Sequence, residues 1–288
     1  MNFRTLVSIA PSPDRILHNS RLLMLGSCFA ENMGERLINA GFTVDLNPFG
    51  ILYNPLSIEQ ALTQLLDDKR YRANELVEYE GLWHSMMHHS RFSASSKDEC
   101  LKKINDRIAL SVENFKKADF LFITFGTAWI YELVNTGAVA ANCHKLPERY
   151  FSRRRLTVEE IVEKYTKLVE KLLKTNPQLR IIFTVSPIRH WKDGAHGNNL
   201  SKATLLLAIE QITQQFDNAS YFPAYELVLD ELRDYRFYTD DMQHPSAVAV
   251  NYIWQRLGET FFSEETKKLA AENEKQARIA AHKPIVKI

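Results

Sequence analysis

A serine hydroxyl becomes a useful nucleophile only where a base can take its proton and a third group holds that base in position. Two segments of this chain offer such parts. Gly26-Ser27-Cys28-Phe29-Ala30 follows the short apolar run Leu22-Leu23-Met24-Leu25, so Ser27 sits at a strand-to-helix turn. Amides at a helix N-terminus there can stabilise a developing oxyanion. The competing reading makes Ser27 only an N-cap. A capping box would want Glu or Gln at position 30, where Ala30 stands. Towards the other end, Thr239-Asp240-Asp241-Met242-Gln243-His244-Pro245 sets a carboxylate and an imidazole three residues apart. In a helical turn both would share a face. Asp241 could then fix the tautomer of His244 while the other ring nitrogen faces the serine. The alternative is a surface turn capping a helix that begins near Ser246.

The remaining histidines suggest other chemistry. His84, His88 and His89 form His-x-x-x-His-His, and on a helix His84 and His88 could share a zinc ion. The zinc-protease version carries Glu beside the first His; here Ser85 occupies that place, so no metal is assigned. His88 and His89 are expected instead to line the substrate pocket from an irregular insertion, Tyr71 to Lys97. His190 and His196 flank Trp191 in a loop that should face the ligand edge. Arg189 could hold a carboxylate or phosphate, with pairing to an acidic neighbour as the default.

These residues need a frame. Phe29 to Ala40 fits a helix stopped by Gly41, and Phe42-Thr43-Val44 with Leu46 follows as a second strand. Ser57 with Gln60, and Thr157 with Glu160, read as capping boxes that open helices. Leu101, Ile104, Ile108, Val112 and Phe115 repeat at helical spacing. Val158, Ile161, Val162, Tyr165, Leu168, Val169, Leu172 and Leu173 form the best amphipathic helix. Phe120 to Phe125 and Ile181 to Val185 are buried strands. A helix over Ser201 to Phe216, a short strand near Ala219 to Phe222 and a helix over Ser246 to Phe262 complete the pattern. Strands alternating with helices predict a three-layer α/β/α sandwich around a parallel sheet of about five strands in flavodoxin-like order. One domain is expected over residues 1–288, with the histidine-rich insertion at 71–97 and a charged helical tail at 263–288. Ligands of such sheets bind outside the carboxyl ends of the strands, where Ser27 and Ser186 lie.

Composition narrows the function further. Lys+Arg 36 against Asp+Glu 35 gives a net charge of +1, which argues against a nucleic-acid footprint. Arg153-Arg154-Arg155 reads as a solvated loop. Cys28, Cys100 and Cys143 are too few and too scattered for a disulfide framework or a CxxC zinc site. No apolar run approaches the roughly 18 residues of a membrane span. No signal-peptide core is apparent, so a cytoplasmic protein is expected. Gly-x-x-x-x-Gly-Lys-Ser/Thr and Gly-x-Gly-x-x-Gly motifs are both missing, which disfavours nucleotide binding.

Gly26-Ser27-Cys28-Phe29-Ala30 spells GSCFA, and the chain resembles GSCFA-domain proteins, which are similar to SGNH/GDSL hydrolases. The resemblance runs from about Phe3 through His244. It includes Asn47-Pro48-Phe49-Gly50, Trp83-His84-Ser85, Phe125-Gly126-Thr127-Ala128-Trp129 and Asn142-Cys143-His144-Lys145. It implies Ser27 as nucleophile, His244 as base, Asp241 as its orienter and the backbone amides of Ser27 and Gly50 as oxyanion donors. The third SGNH block is normally Gly-x-Asn. Gly126-Thr127-Ala128 lacks that amide, leaving Thr127 or Asn142 as substitutes. The implied activity is a serine esterase, without cofactor, acting on an acyl ester of a carbohydrate or small polar alcohol. An acyltransferase with the same triad, a metal-dependent hydrolase built on the histidine cluster and a non-catalytic binding protein are the alternatives.

Overall fold

The computed structural model describes residues 4–281. The last part of the expected tail, with its break at Lys283-Pro284, lies outside the described residues. In chain order the elements are β1 (Arg21–Gly26), α1 (Cys28–Asn39), β2 (Thr43–Leu46), α2 (Pro55–Leu66), β3 (Val77–Tyr79), β4 (Leu82–His84), α3 (Lys97–Phe115), β5 (Phe120–Phe125), β6 (Trp129–Leu133), β7 (Val139–Ala140), β8 (Phe151–Arg155), α4 (Val158–Thr175), β9 (Arg180–Val185), α5 (Gly194–Thr213), β10 (Ala219–Tyr221), α6 (Ala224–Glu226), α7 (Ala247–Phe261) and α8 (Glu264–Ala281).

Five strands form one parallel sheet in the order β2-β1-β5-β9-β10. Numbered along the chain this is 2-1-3-4-5, the flavodoxin-like order expected. Alternation along the buried strands sorts side chains onto two faces. Leu23 and Leu25 of β1, Leu121 and Ile123 of β5, and Ile181 and Phe183 of β9 pack under α2, α3, α4 and α5. Leu22, Met24, Phe120, Phe122 and Ile182 pack against α1 and α7 on the other side. That gives the three layers. The stripe of α4 buries Ile161, Tyr165, Leu168, Val169 and Leu172, each contributing about 1.5–3 kcal/mol on removal from water.

Helix starts follow local chemistry, with one correction. The Thr157–Glu160 box is formed in both directions. Ser57, however, does not open α2. Asn54 does: its side chain accepts from the Ser57 amide at 2.9 Å and Pro55 occupies the first turn.

Two small sheets lie outside the main one: the β3–β4 hairpin and the antiparallel β7-β6-β8. The second replaces the loop expected around Arg153-Arg154-Arg155. Those arginines belong to β8, where Arg153 pairs with Asp193 and Arg154 with Glu132 and Glu160. Short strands with half-exposed faces lack the apolar runs that made β5 and β9 legible. No helix among the described residues is long and apolar enough to cross a membrane.

Candidate active site

Ser27 follows directly on β1 as the N-cap of α1. It is buried, and its Oγ accepts from the Phe29 amide at 3.3 Å. Gly26, just before it, has φ +149°, and a Cβ there would stand 2.4 Å from the Thr124 carbonyl oxygen. Only glycine lets β1 approach β5 this closely where the chain turns towards the serine.

Asp241 and His244 meet in a turn rather than on a helix. Asp241 Oδ2 lies 2.5 Å from His244 Nδ1, while its Oδ1 accepts from the amides of Gln243 (2.8 Å) and His244 (2.9 Å) and from the Thr239 hydroxyl (2.7 Å). The His244 amide first, then that of Gln243, then the imidazole and the Thr239 hydroxyl, hold the carboxyl well below the usual carboxylate range. Asp241 therefore remains an anion that fixes one ring nitrogen and leaves Nε2 unclaimed by this turn. Ser27 Oγ and the imidazole are not hydrogen-bonded to each other, but Ser27 and His244 both line one cavity of about 480 Å³.

The cavity opens at the carboxyl edge of the sheet. Trp129, Tyr131 and Arg153 of the β7-β6-β8 sheet form one wall, and Arg189, His190 and Asp193 after β9 form another. The Arg153 guanidinium packs over the Trp129 ring at 4.3 Å. Arg189 does not pair with an acidic neighbour. It donates to the Met242 carbonyl and packs over the rings of Trp191 (5.1 Å), Tyr235 (5.5 Å) and Tyr238 (5.0 Å). It thereby ties the Asp241–His244 turn to the loop after β9.

Several expected binding residues fall elsewhere or are already engaged. The Gly50 amide donates to the Asn47 carbonyl at 2.8 Å, and Gly50 does not line the cavity. Its positive φ serves the turn, with His89 packed where a side chain would stand. His88 and His89 also lie outside the lining. His88 is buried between Phe49, at 4.7 Å, and Tyr71 and Phe92, with Nδ1 2.9 Å from Ser85 Oγ. Burial, then the neighbouring His144, push its pKa down to about 3. His89 Nδ1 accepts from the Arg91 amide. His84 is held by Ser93 Oγ at 2.7 Å and the Tyr79 carbonyl at 3.2 Å. The insertion therefore buries His84 and His88, while His89 is half-buried outside the cavity. Among the described residues no group of three or more His, Cys, Asp or Glu is placed to hold a metal ion.

Thr127 and Asn142 do line the cavity. The Thr127 hydroxyl is engaged with Ser201 Oγ (3.1 Å) and the Trp129 amide (3.2 Å). The amides of Gly126 and Thr127 both donate to the Tyr53 carbonyl, at 2.8 and 2.9 Å. Asn142 Oδ1 accepts from the His144 amide at 2.9 Å. Two further features escaped the sequence pattern. Asn54 lines the cavity beside Tyr53 while capping α2. Lys202 is buried beneath the site and donates to the carbonyls of Gly126 (2.6 Å) and Ser186 (2.7 Å), joining the turns after β5 and β9. Burial pulls its pKa down to about 7. Only a spatial view makes a mid-helix lysine conspicuous.

The whole run from β1 into α7 matches one family. The chain belongs to the GSCFA family. The match spans residues 21–257, so it includes both Ser27 and the Asp241–His244 turn. Comparison with curated proteins gives no match. Among solved structures, the GSCFA chain is similar to a Streptococcus pneumonia protein provisionally assigned as a platelet activating factor. That likeness has 10% identity and a TM-score of 0.40, and covers 83% of this chain and 84% of the other. A carbohydrate esterase family 3 protein from Talaromyces cellulolyticus gives 10% identity and a TM-score of 0.38, covering 88% of this chain and 99% of the other. At these scores neither likeness bears on the chemistry of the site.

Proposed function

We propose that this GSCFA chain is a serine esterase of SGNH type. The observation that carries the reading is the shared cavity: a buried Ser27 at the N-terminus of α1 and an Asp241-bound His244 open into the same space. Ser27 Oγ attacks the ester carbonyl and its proton passes to His244 Nε2. Asp241 holds the ring and balances the imidazolium. Collapse of the tetrahedral intermediate expels the alcohol, which takes the proton from His244. Water then repeats the sequence on the acyl enzyme and frees the acid. Closing the unmade Ser27–His244 contact to about 2.6–3.2 Å is a step that substrate binding supplies.

The alcohol side of the substrate is polar. The cavity wall holds buried polar atoms without partners, namely Trp129 Nε1, Arg153 Nε and Asp193 Oδ2, beside the Trp129 and Tyr131 rings. Such groups suit a hydroxyl-bearing alcohol such as a sugar, because leaving them dry and unpaired costs about 1–3 kcal/mol each. A fluorophosphonate probe tests the reading. Labelling should map to Ser27 and disappear in Ser27→Ala, together with turnover of p-nitrophenyl acetate. Undiminished turnover by folded Ser27→Ala would overturn it.

A further inference from the structure

The esterase reading leaves the oxyanion without the side-chain amide that Gly126-Thr127-Ala128 lacks, and with the amides of Gly50, Gly126 and Thr127 already donating to carbonyls. One polar group beside Ser27 has no such engagement. His190 lines the cavity, and its Nε2 is buried without any hydrogen-bond partner among the described residues. Gly126 locates it. A Cβ built on that glycine would stand 3.3 Å from His190 Nε2 and 3.5 Å from Ser27 Cβ. The imidazole nitrogen and the Cβ that carries the nucleophilic hydroxyl thus flank one small gap that exists because residue 126 has no side chain.

We propose that His190 is a catalytic residue that donates its Nε2–H to the carbonyl oxygen of the substrate as that oxygen becomes an oxyanion. The inference rests on the serine-esterase reading above. The ring is anchored for this task. Its own backbone amide donates to Asn198 Oδ1 at 3.0 Å, and the Tyr53 ring meets it edge-on at 5.7 Å. Its protonation state also fits. Burial first, then the positive charge of Lys202 and Arg153 and the nearby His244, bring its pKa down to about 4. A ring held neutral is a poor proton acceptor at neutral pH but a competent hydrogen-bond donor, as other neutral imidazoles at electrophilic sites are. The two histidines of the cavity then divide the work. His244, oriented by Asp241, receives the Ser27 proton. His190 keeps its own proton throughout and stabilises charge on the oxygen as the new Oγ–C bond forms.

The test uses the full chain with p-nitrophenyl acetate. His190→Ala should lower kcat about 10²–10³-fold, the loss typical of one oxyanion donor, with KM changed far less. His190→Gln, whose side-chain amide can reach the Nε2 position, should recover at least about ten-fold of that loss. The midpoint of the acid limb of the pH–rate profile should be the same in all three proteins, because the base is elsewhere. Unimpaired His190→Ala, or Gln as inactive as Ala with the acid limb displaced, would overturn the proposal. A second measurement avoids dependence on folded variants. In the wild-type protein labelled with ¹⁵N-histidine, His190 should be the neutral Nε2–H form at pH 7, and its Nε2–H resonance should move downfield when a fluorophosphonate adduct forms. A Nδ1–H tautomer or an imidazolium would also refute it. If wild-type turnover proves independent of Ser27, the esterase reading itself fails and this inference with it. Ser27-dependent turnover with unaffected His190 variants sinks only the present inference.

Discussion

His88 provides a quantitative test of whether the histidine-rich segment is structural. The residue is 1% exposed, its ring packed among Phe49, Tyr71 and Phe92, with one nitrogen near Ser85 Oγ and the other without a partner. Folding therefore holds it neutral down to about pH 3, against 6.5 when solvated. Between those values the unfolded chain binds a proton that the folded chain does not, so stability falls as pH falls through this window. At about 1.4 kcal/mol per pH unit, the part between pH 6.5 and about pH 4 amounts to about 3 kcal/mol for this one residue. Replacing His88 by Phe removes the titration while keeping an aromatic ring of similar size. At pH 7 the variant loses one neutral hydrogen bond, about 1 kcal/mol, offset in part by removing the unpaired nitrogen. Urea unfolding of both proteins at several pH values from 7 to 4 is the assay. Wild type should lose about 3 kcal/mol more than His88→Phe across that range, while esterase activity at pH 7 stays within about two-fold. Parallel stability curves would refute the burial argument. A large activity loss at unchanged stability would return His88 to the substrate pocket.

Other consequences concern the site. Ser27→Ala and His244→Ala should each reduce ester turnover by at least about 10³-fold, with the double variant little worse than either, because the pair acts as a unit. Asp241→Ala should cost less, since Arg189 on the Met242 carbonyl and the Thr239 amide on the His244 carbonyl still hold the segment near its place; steady-state kinetics on the four proteins checks this. Gly126→Ala puts a Cβ 2.9 Å from the Tyr53 carbonyl oxygen and into the gap between His190 and Ser27. It should lose about 1–3 kcal/mol of stability by urea unfolding and more than about ten-fold in kcat. Arg189→Met removes the anchor on the Met242 carbonyl and should lower kcat by about ten-fold or more, as displaced catalytic groups do, with little change in melting temperature.

The Arg189 variant probes a contact that no local sequence pattern reveals. The turn carrying His244 is exposed and has little apolar anchorage of its own. Its placement depends on one guanidinium reaching from the loop after β9, between rings contributed by both segments. Lys202 acts similarly below the cavity by fastening the turns after β5 and β9. The site is thus framed by two basic side chains that bind backbone carbonyls, where a carboxylate partner would have been the simpler expectation.

The layered fold was legible in the sequence because its determinants are local. The runs Leu22 to Leu25, Phe120 to Phe125 and Ile181 to Val185 can be satisfied only as strands buried on both faces, and α4 carries its apolar stripe at helical spacing. Ser27 after β1 followed from the same logic, as did the Asp241–His244 proximity, since three residues of separation suffice for contact in a turn. Tertiary structure decided the remainder. Asn54 displaced Ser57 as the cap of α2 because Pro55 suits the first turn and not the interior. The β7-β6-β8 sheet was hidden because its short strands are half exposed, yet it supplies a wall of the cavity. Gly50 followed the family pattern, but its amide was consumed by a local turn. His88 was drawn into aromatic packing, where desolvation of an imidazole is tolerated because it can remain neutral. His190 reached Ser27 across a glycine 64 positions away along the chain. Such contacts are made by chain crossings, and crossings are set by the sheet order and not by any spacing along the sequence.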